Sequence, residues 1–299
     1  MDWLTETKIP IGMGAKSAFA WLQDVGAPFF DWVSWIMERL IEGILAVLQI
    51  PPPFPVAGDA GGWVWQPLYP EAMHPFVVTA GFVALTWVLQ RNWKTALLVL
   101  VGFLFILNQG YFEETTESLT LVLSAGVVCM SVGVPIGIAV AHRPKLYTWI
   151  RPVLDLMQTL PTFVYLIPAI VFFGIGMVPG LLATVIFVLP APIRLTHLGI
   201  SRTPVALKEA AQAFGATKRQ LLYKVELPYA MPQIMAGLNQ TIMLSLSMVV
   251  IAALVGADGL GVPVIRALNS VNTALGFESG FVIVVVAIIL DRMLRVERK

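Results

Sequence analysis

The residues with the most specific spacing lie in 196–228, THLGISRTPVALKEAAQAFGATKRQLLYKVELP. Pro204 precedes a helix-favouring stretch, VALKEAAQAF, and Gly215 stands where that helix should stop. ATKRQLLYKVEL then reads as a second short helix, starting near Ala216 or Thr217 and ended by Pro228. Two short helices joined by a bend make a compact protrusion, suited to a groove on a partner. Its chemistry is recognition rather than bond-making. Glu209 offers a charge, Ala210 and Ala211 let another surface approach closely, and Gly215 permits a turn that a β-carbon would hinder. Val225, Leu227 and Pro228 complete the pattern E-A-A-x3-G-x9-V-x-L-P. A bare Glu-Ala-Ala in an amphipathic loop helix would signify little; the full spacing is informative.

A second polar set interrupts apolar runs. Gln158, Thr159 and Thr162 flank Pro161, which can open a helix backbone locally, and Asn239, Gln240, Thr241, Ser245 and Ser247 cluster further on. Inside a membrane each needs a partner or water, so these eight are candidates for a translocation pathway. The plainer reading of any one is that it ties helices together. A pathway of neutral dipoles suits a zwitterion or cation that must not bind tightly. Asp155, at the end of its run, reads as an interfacial charge. No G-x4-G-K-[ST] phosphate loop occurs, so ATP is not expected to bind this chain in the usual way. No His, Cys and carboxylate set has metal-site spacing, and His74, His142 and His197 read as interfacial or solvated. The single cysteine, Cys129, sits in an apolar run and reads as a small packing residue. Asn239-Gln-Thr matches a glycosylation sequon, accidentally, since it falls within a span.

The elements that position these residues follow from composition. Of 299 residues 58% are hydrophobic and 12% charged, against about 45–50% and 25% in soluble domains, so a soluble enzyme is excluded. No Asp, Glu, Lys or Arg occurs between Glu117 and Arg143, Asp155 and Arg194, or Glu226 and Asp258. Since about 20 apolar residues cross a bilayer, the chain is all-α and polytopic. Seven spans are expected, at about 74–90, 95–111, 119–141, 155–174, 177–195, 229–256 and 277–291. Leu156 to Ile193 would run about 57 Å as one helix, too long for one crossing, and GIGMVPG (174–180) divides it. With these spans, 15 of the 19 Lys and Arg fall on one face, which makes the C-terminus cytoplasmic and starts the first span outside. Net charge is +1, with no basic–aromatic interleaving of the kind nucleic acid requires.

Residues 1–70 read as an N-terminal tail before a transmembrane domain, 71–299. Nothing in the first 25 residues has the build of a cleaved signal peptide. Within 29–50, Asp31, Glu38 and Glu42 lie within about 20° of one direction on a helical wheel, so this is an amphipathic helix in the interface or against the bundle, at the outer face. PPPFPVAGDAGGWVWQP (51–67) reads as an irregular connector. Six of the nine tryptophans lie at or before Trp65, as an interfacial belt rather than a cage for a quaternary ammonium.

The pattern from Glu209 to Pro228 resembles, at every position, the cytoplasmic signature of ATP-binding-cassette (ABC) importer permeases. Residues 157–180, 189–200, 231–261 and 287–293 resemble the permease of glycine betaine/proline betaine importers, so the likeness covers about 115–293. It implies a type I importer fold in which 196–228 supplies the coupling helix for a separate ATPase. It also implies a multi-pass bacterial inner-membrane homodimer with two ATPase subunits, which bind the ATP and Mg, and a separate extracytoplasmic substrate-binding protein. The implied cargo is a small quaternary amine such as glycine betaine, proline betaine or choline. Alternatives are an ABC permease for methionine, sulfonate or trimethylamine oxide and, remotely, a secondary transporter or channel. The latter should show inverted repeats and buried ionisable residues.

Overall fold

A computed structural model describes residues 11–57 and 63–295. The chain starts with α1 (Ile11–Gln49) and a hairpin of β1 (Pro53–Ala57) and β2 (Trp63–Pro67). Then come α2 (His74–Gln90), α3 (Trp93–Gln109), α4 (Phe112–Ala141), α5 (Pro144–Thr159), α6 (Thr162–Phe173), α7 (Met177–Val188) and α8 (Pro190–Ser201). The chain continues through α9 (Val205–Ala213), α10 (Lys218–Leu221), α11 (Leu227–Ala253), α12 (Gly261–Ser270) and α13 (Thr273–Leu294). Among the described residues, five helical runs are long and apolar enough to cross a membrane: 71–90, 112–141, 177–201, 218–253 and 273–294. The bent pair α5–α6 would make a sixth, and α3 is a shorter apolar helix.

Small residues set the central packing. A β-carbon added at Gly137 of α4 would lie 2.6 Å from the Thr196 β-carbon of α8, and one at Gly133 would lie 2.8 Å from the Pro192 ring. One at Gly199 would lie 2.9 Å from the Ala230 β-carbon of α11. Within lipid there is little hydrophobic drive between helices, so close backbone approach at such residues supplies the packing energy. Cys129 is buried beside this seam, as expected of a packing residue, with its thiol toward the Val185 carbonyl.

Four expectations are revised. The amphipathic helix begins near residue 11 rather than 29, because tertiary contacts extend it: Phe19 and Phe30 both meet Phe172, and the Gln23 amide donates to the Val171 carbonyl at 3.0 Å. These residues share one helical stripe. Further along, Met37 and Ile41 are buried against α4 and α7, while Asp31, Glu38 and Glu42 remain exposed. The connector contains a hairpin, with Phe54 opposite Gln66, in which Val and aromatic residues favour strand and the prolines sit in a two-stranded ribbon without central-strand demands. Trp21, Trp32 and Trp35 are exposed on α1, and Trp3 lies outside the described residues.

Span 155–174 is not one straight helix. Pro161 lacks an N–H and pushes Leu160 into an extended conformation (φ −65°, ψ 137°), so α5 and α6 meet at 97°. Finally, α12 is an additional short helix in what read as a loop.

The ends of the bundle are tied separately. At one end the Gly176 N–H donates to the Val255 carbonyl, the Leu260 N–H to Ser118 Oγ, and the Gln49 amide to Thr116 Oγ1. At the other, Gln90 Nε2 donates to the carbonyls of Met293 and Arg295, beside the basic chain segments.

Candidate coupling site and polar faces of the spans

The protrusion is built by local capping. Helix α9 follows Pro204 and has no buried residue. Its end is a Schellman motif: Gly215 takes φ +76°, its N–H donates to the Gln212 carbonyl, and the Ala216 N–H reaches back to the Ala211 carbonyl at 3.0 Å. Thr217 then opens α10 with a capping box: its side chain accepts from the Gln220 N–H, while Gln220 Oε1 accepts from the Thr217 N–H at 2.8 Å. The two caps fix the bend at Gly215. Glu209, Ala210 and Gly215 face solvent, Ala211 is half-buried, and Phe214 at the tip is 93% exposed. Val205, Leu207 and Tyr223 add exposed apolar surface around it. The Arg219 guanidinium lies over the Tyr223 ring, 5.8 Å from its centre.

Pro228 does not end the second helix. The run continues unbroken from Lys218 to Ala253 through a π-turn, Leu222–Glu226, in which the Leu227 N–H donates to the Leu222 carbonyl five residues back. A proline in an α-helix loses one hydrogen bond and clashes with the carbonyl four residues earlier; the wider turn relieves the clash. Val225 and Leu227 are half-buried there and Pro228 is exposed.

At this turn Glu226 is buried and binds two other elements. Its Oε1 lies 3.2 Å from Lys208 Nζ of α9, and its Oε2 lies 2.8 Å from Nε2 of His142, the residue that caps α4. None of these three was singled out as a site residue from sequence, and His142 is a close polar partner of a buried carboxylate rather than a merely solvated residue. The available signal was a carboxylate set between apolar neighbours in VEL. His74 and His197 also have specific partners: the Tyr69 hydroxyl lies 2.8 Å from His74 Nδ1, and Tyr147 stacks on His197.

The polar span residues separate into groups. Gln240 and Ser247 are exposed, on one stripe of α11 with Met243. Thr241 and Ser245 are fully buried and donate to the carbonyls of Gly237 and Thr241. The Asn239 amide donates to Asp291 Oδ1 of α13 at 3.2 Å. At the α5–α6 break, Gln158 and Thr162 are half-buried and Thr159 is exposed, its hydroxyl on the Leu156 carbonyl. The Tyr165 hydroxyl donates to the Met157 carbonyl and holds the bend closed. Asp155 pairs with Arg194 at 2.6 Å across α5 and α8.

Residues 133–296, which include the protrusion and the helices around it, match the family model for the inner-membrane component of binding-protein-dependent transport systems. The chain belongs to this permease family. The permease is 45% identical over 272 residues to the glycine betaine transport system permease protein OpuAB of Bacillus subtilis, covering 91% of this chain and 92% of that one. It is 46% identical over 273 residues to the glycine betaine/carnitine transport permease protein GbuB of Listeria monocytogenes, covering 89% and 94%. ProW of Escherichia coli, a glycine betaine/proline betaine permease protein, is 39% identical over 98% of this chain and 76% of its own. Among solved structures, the inward-facing MetNI methionine ABC transporter shares the fold, with a TM-score of 0.53, 23% identity, and coverage of 60% of the permease and 91% of that chain.

Proposed function

We propose that this permease is the translocation subunit of an ATP-driven importer whose cargo is a small quaternary amine of the glycine betaine or choline kind. The carrying observation is the doubly capped, exposed helix pair at the basic end of the bundle, in a chain similar over nine-tenths of its length to permeases named for glycine betaine. In this reading Glu209, Ala210, Ala211 and Gly215 dock in a separate ATPase, which holds the ATP and Mg, while Val225, Leu227 and Pro228 form the root of that contact. Two copies of the permease meet two ATPase subunits, and an extracytoplasmic receptor delivers the amine. Gln240 and Ser247 offer dipoles along an exposed helix face without a fixed counter-charge, which suits passage rather than capture.

Proteoliposomes containing the permease, its ATPase and its receptor should take up radiolabelled glycine betaine or choline only with ATP. Preference for methionine, a sulfonate or trimethylamine oxide would move the cargo assignment, and uptake driven by an ion gradient without ATP would sink the importer reading. With the seven spans read from sequence, 15 of the 19 Lys and Arg fall on one face, which supports a cytoplasmic C-terminus. A reporter fused after Lys299 should be active only in the cytoplasm; periplasmic activity would overturn the orientation.

A further inference from the structure

We infer that Glu226 is the positioning residue that makes α4 and α11 follow the coupling helix α9. The inference rests on the importer reading above. Since α9 has no buried side chain, its apolar grip on the bundle is slight. It is joined to the bundle covalently at both ends, to α8 through Arg202–Pro204 and through α10 into α11, and by the Lys208–Glu226 ion pair. The covalent paths lead directly to α8 and α11. The polar path adds α4, because the second oxygen of the same carboxylate is bound by His142.

Two features make this junction stiff. Glu226 has only 3% of its side chain exposed, and charge-assisted bonds strengthen where water is excluded. The His142 ring is held at both nitrogens, Nδ1 at 2.9 Å from the Ile138 carbonyl and Nε2 on the carboxylate. Both partners are oxygens of groups on opposite edges of the ring, so its orientation is fixed. The carboxylate therefore lies between the Lys208 ammonium and the His142 ring, from separate elements. The π-turn places it there: one extra residue rotates the helix beyond the turn by roughly 100° relative to the segment before it. A displacement of α9 thus reaches α4 through two short polar contacts, and α4 packs against α8 through Gly133 and Gly137.

The test measures amine uptake and ATP hydrolysis in the same proteoliposomes of the full complex, and reads their ratio. Glu226→Gln and Lys208→Gln should each lower the amine moved per ATP about tenfold, and His142→Gln about threefold, because each leaves a buried charge-assisted contact incomplete. Lys208→Arg, which still brings a cation to the carboxylate, should stay within about twofold of wild type. Uptake and hydrolysis falling in proportion would mean weaker docking or assembly, and would overturn the inference, as would an unchanged ratio. If Glu226→Gln does not assemble, Lys208→Gln and His142→Gln decide by the same ratio, since both side chains reach solvent. A wild-type complex that does not couple amine uptake to ATP overturns both this inference and the importer reading. A coupled wild type with an unmoved ratio overturns this inference alone.

Discussion

A permease carrying Gly215→Val is expected to reach the membrane at its normal level and to lose most of its ATP-driven uptake. Gly215 holds φ +76°, a conformation that costs an L-residue roughly 1–2 kcal/mol and a β-branched one more. A β-carbon there meets nothing within 4 Å, so the loss is conformational rather than a clash. The two backbone bonds that close α9 depend on that φ, and the angle between α9 and α10 depends on those bonds. If the docking-competent bend is depleted by 1–2 kcal/mol, apparent affinity for the ATPase should fall about 5–30-fold. Gly215→Asn is the control, because asparagine tolerates positive φ, and it should retain most uptake. The measurements are uptake and co-purification of the ATPase at equal permease levels. Equal activity in both variants, or equal loss, would sink the idea that the bend angle is what matters.

The second large effect is on folding. Gly137→Leu should cut the amount of folded, detergent-stable permease at least several-fold, because its β-carbon alone would sit 2.6 Å from the Thr196 β-carbon and 2.9 Å from the Ile193 carbonyl oxygen. A backbone oxygen cannot swing aside as a flexible side chain can. Helices α4 and α8 would have to part, an overpacking cost of about 1–3 kcal/mol or more, and losses of that size change abundance severalfold. Gly81→Leu, on α2 with open space around it, should leave the level unchanged. Fluorescence-detected size exclusion distinguishes the two; matched profiles would mean the α4–α8 seam is looser than its geometry indicates.

What could be read in advance followed the range of the interaction. The bend at Gly215 was legible because capping is local: Pro204, Gly215 and Thr217 act within a few residues of themselves. The apolar runs were legible because lipid demands them. The first half of α1 was not, since its helicity is supported by Phe172 and Val171, about 150 residues away. Pro228 was misread because a rule about one residue was applied without its neighbours, and the π-turn beside it changes the outcome. The Glu226 junction joins residues 84 and 18 positions apart, and nothing local announces it. The polar residues of α11 could not be sorted from composition, because a serine or threonine can satisfy itself on the carbonyl four residues back, as Thr241 and Ser245 do.

The bend between α5 and α6 bears also on how the chain enters the bilayer. At 12 residues α6 is about 18 Å long, well short of a hydrocarbon core of roughly 30 Å, and α5 carries Lys145, Arg151 and Asp155. Neither half is a segment that a translocon would release into lipid on hydropathy alone. What seats the pair is contact made later in synthesis: Tyr165, Leu166 and Ala169 pack against Ala183 of α7 and Met248 of α11, and Asp155 meets Arg194. The long helices can enter the membrane in the order they emerge from the ribosome, whereas this pair takes its final depth only after sequence some 80 residues downstream has been translated.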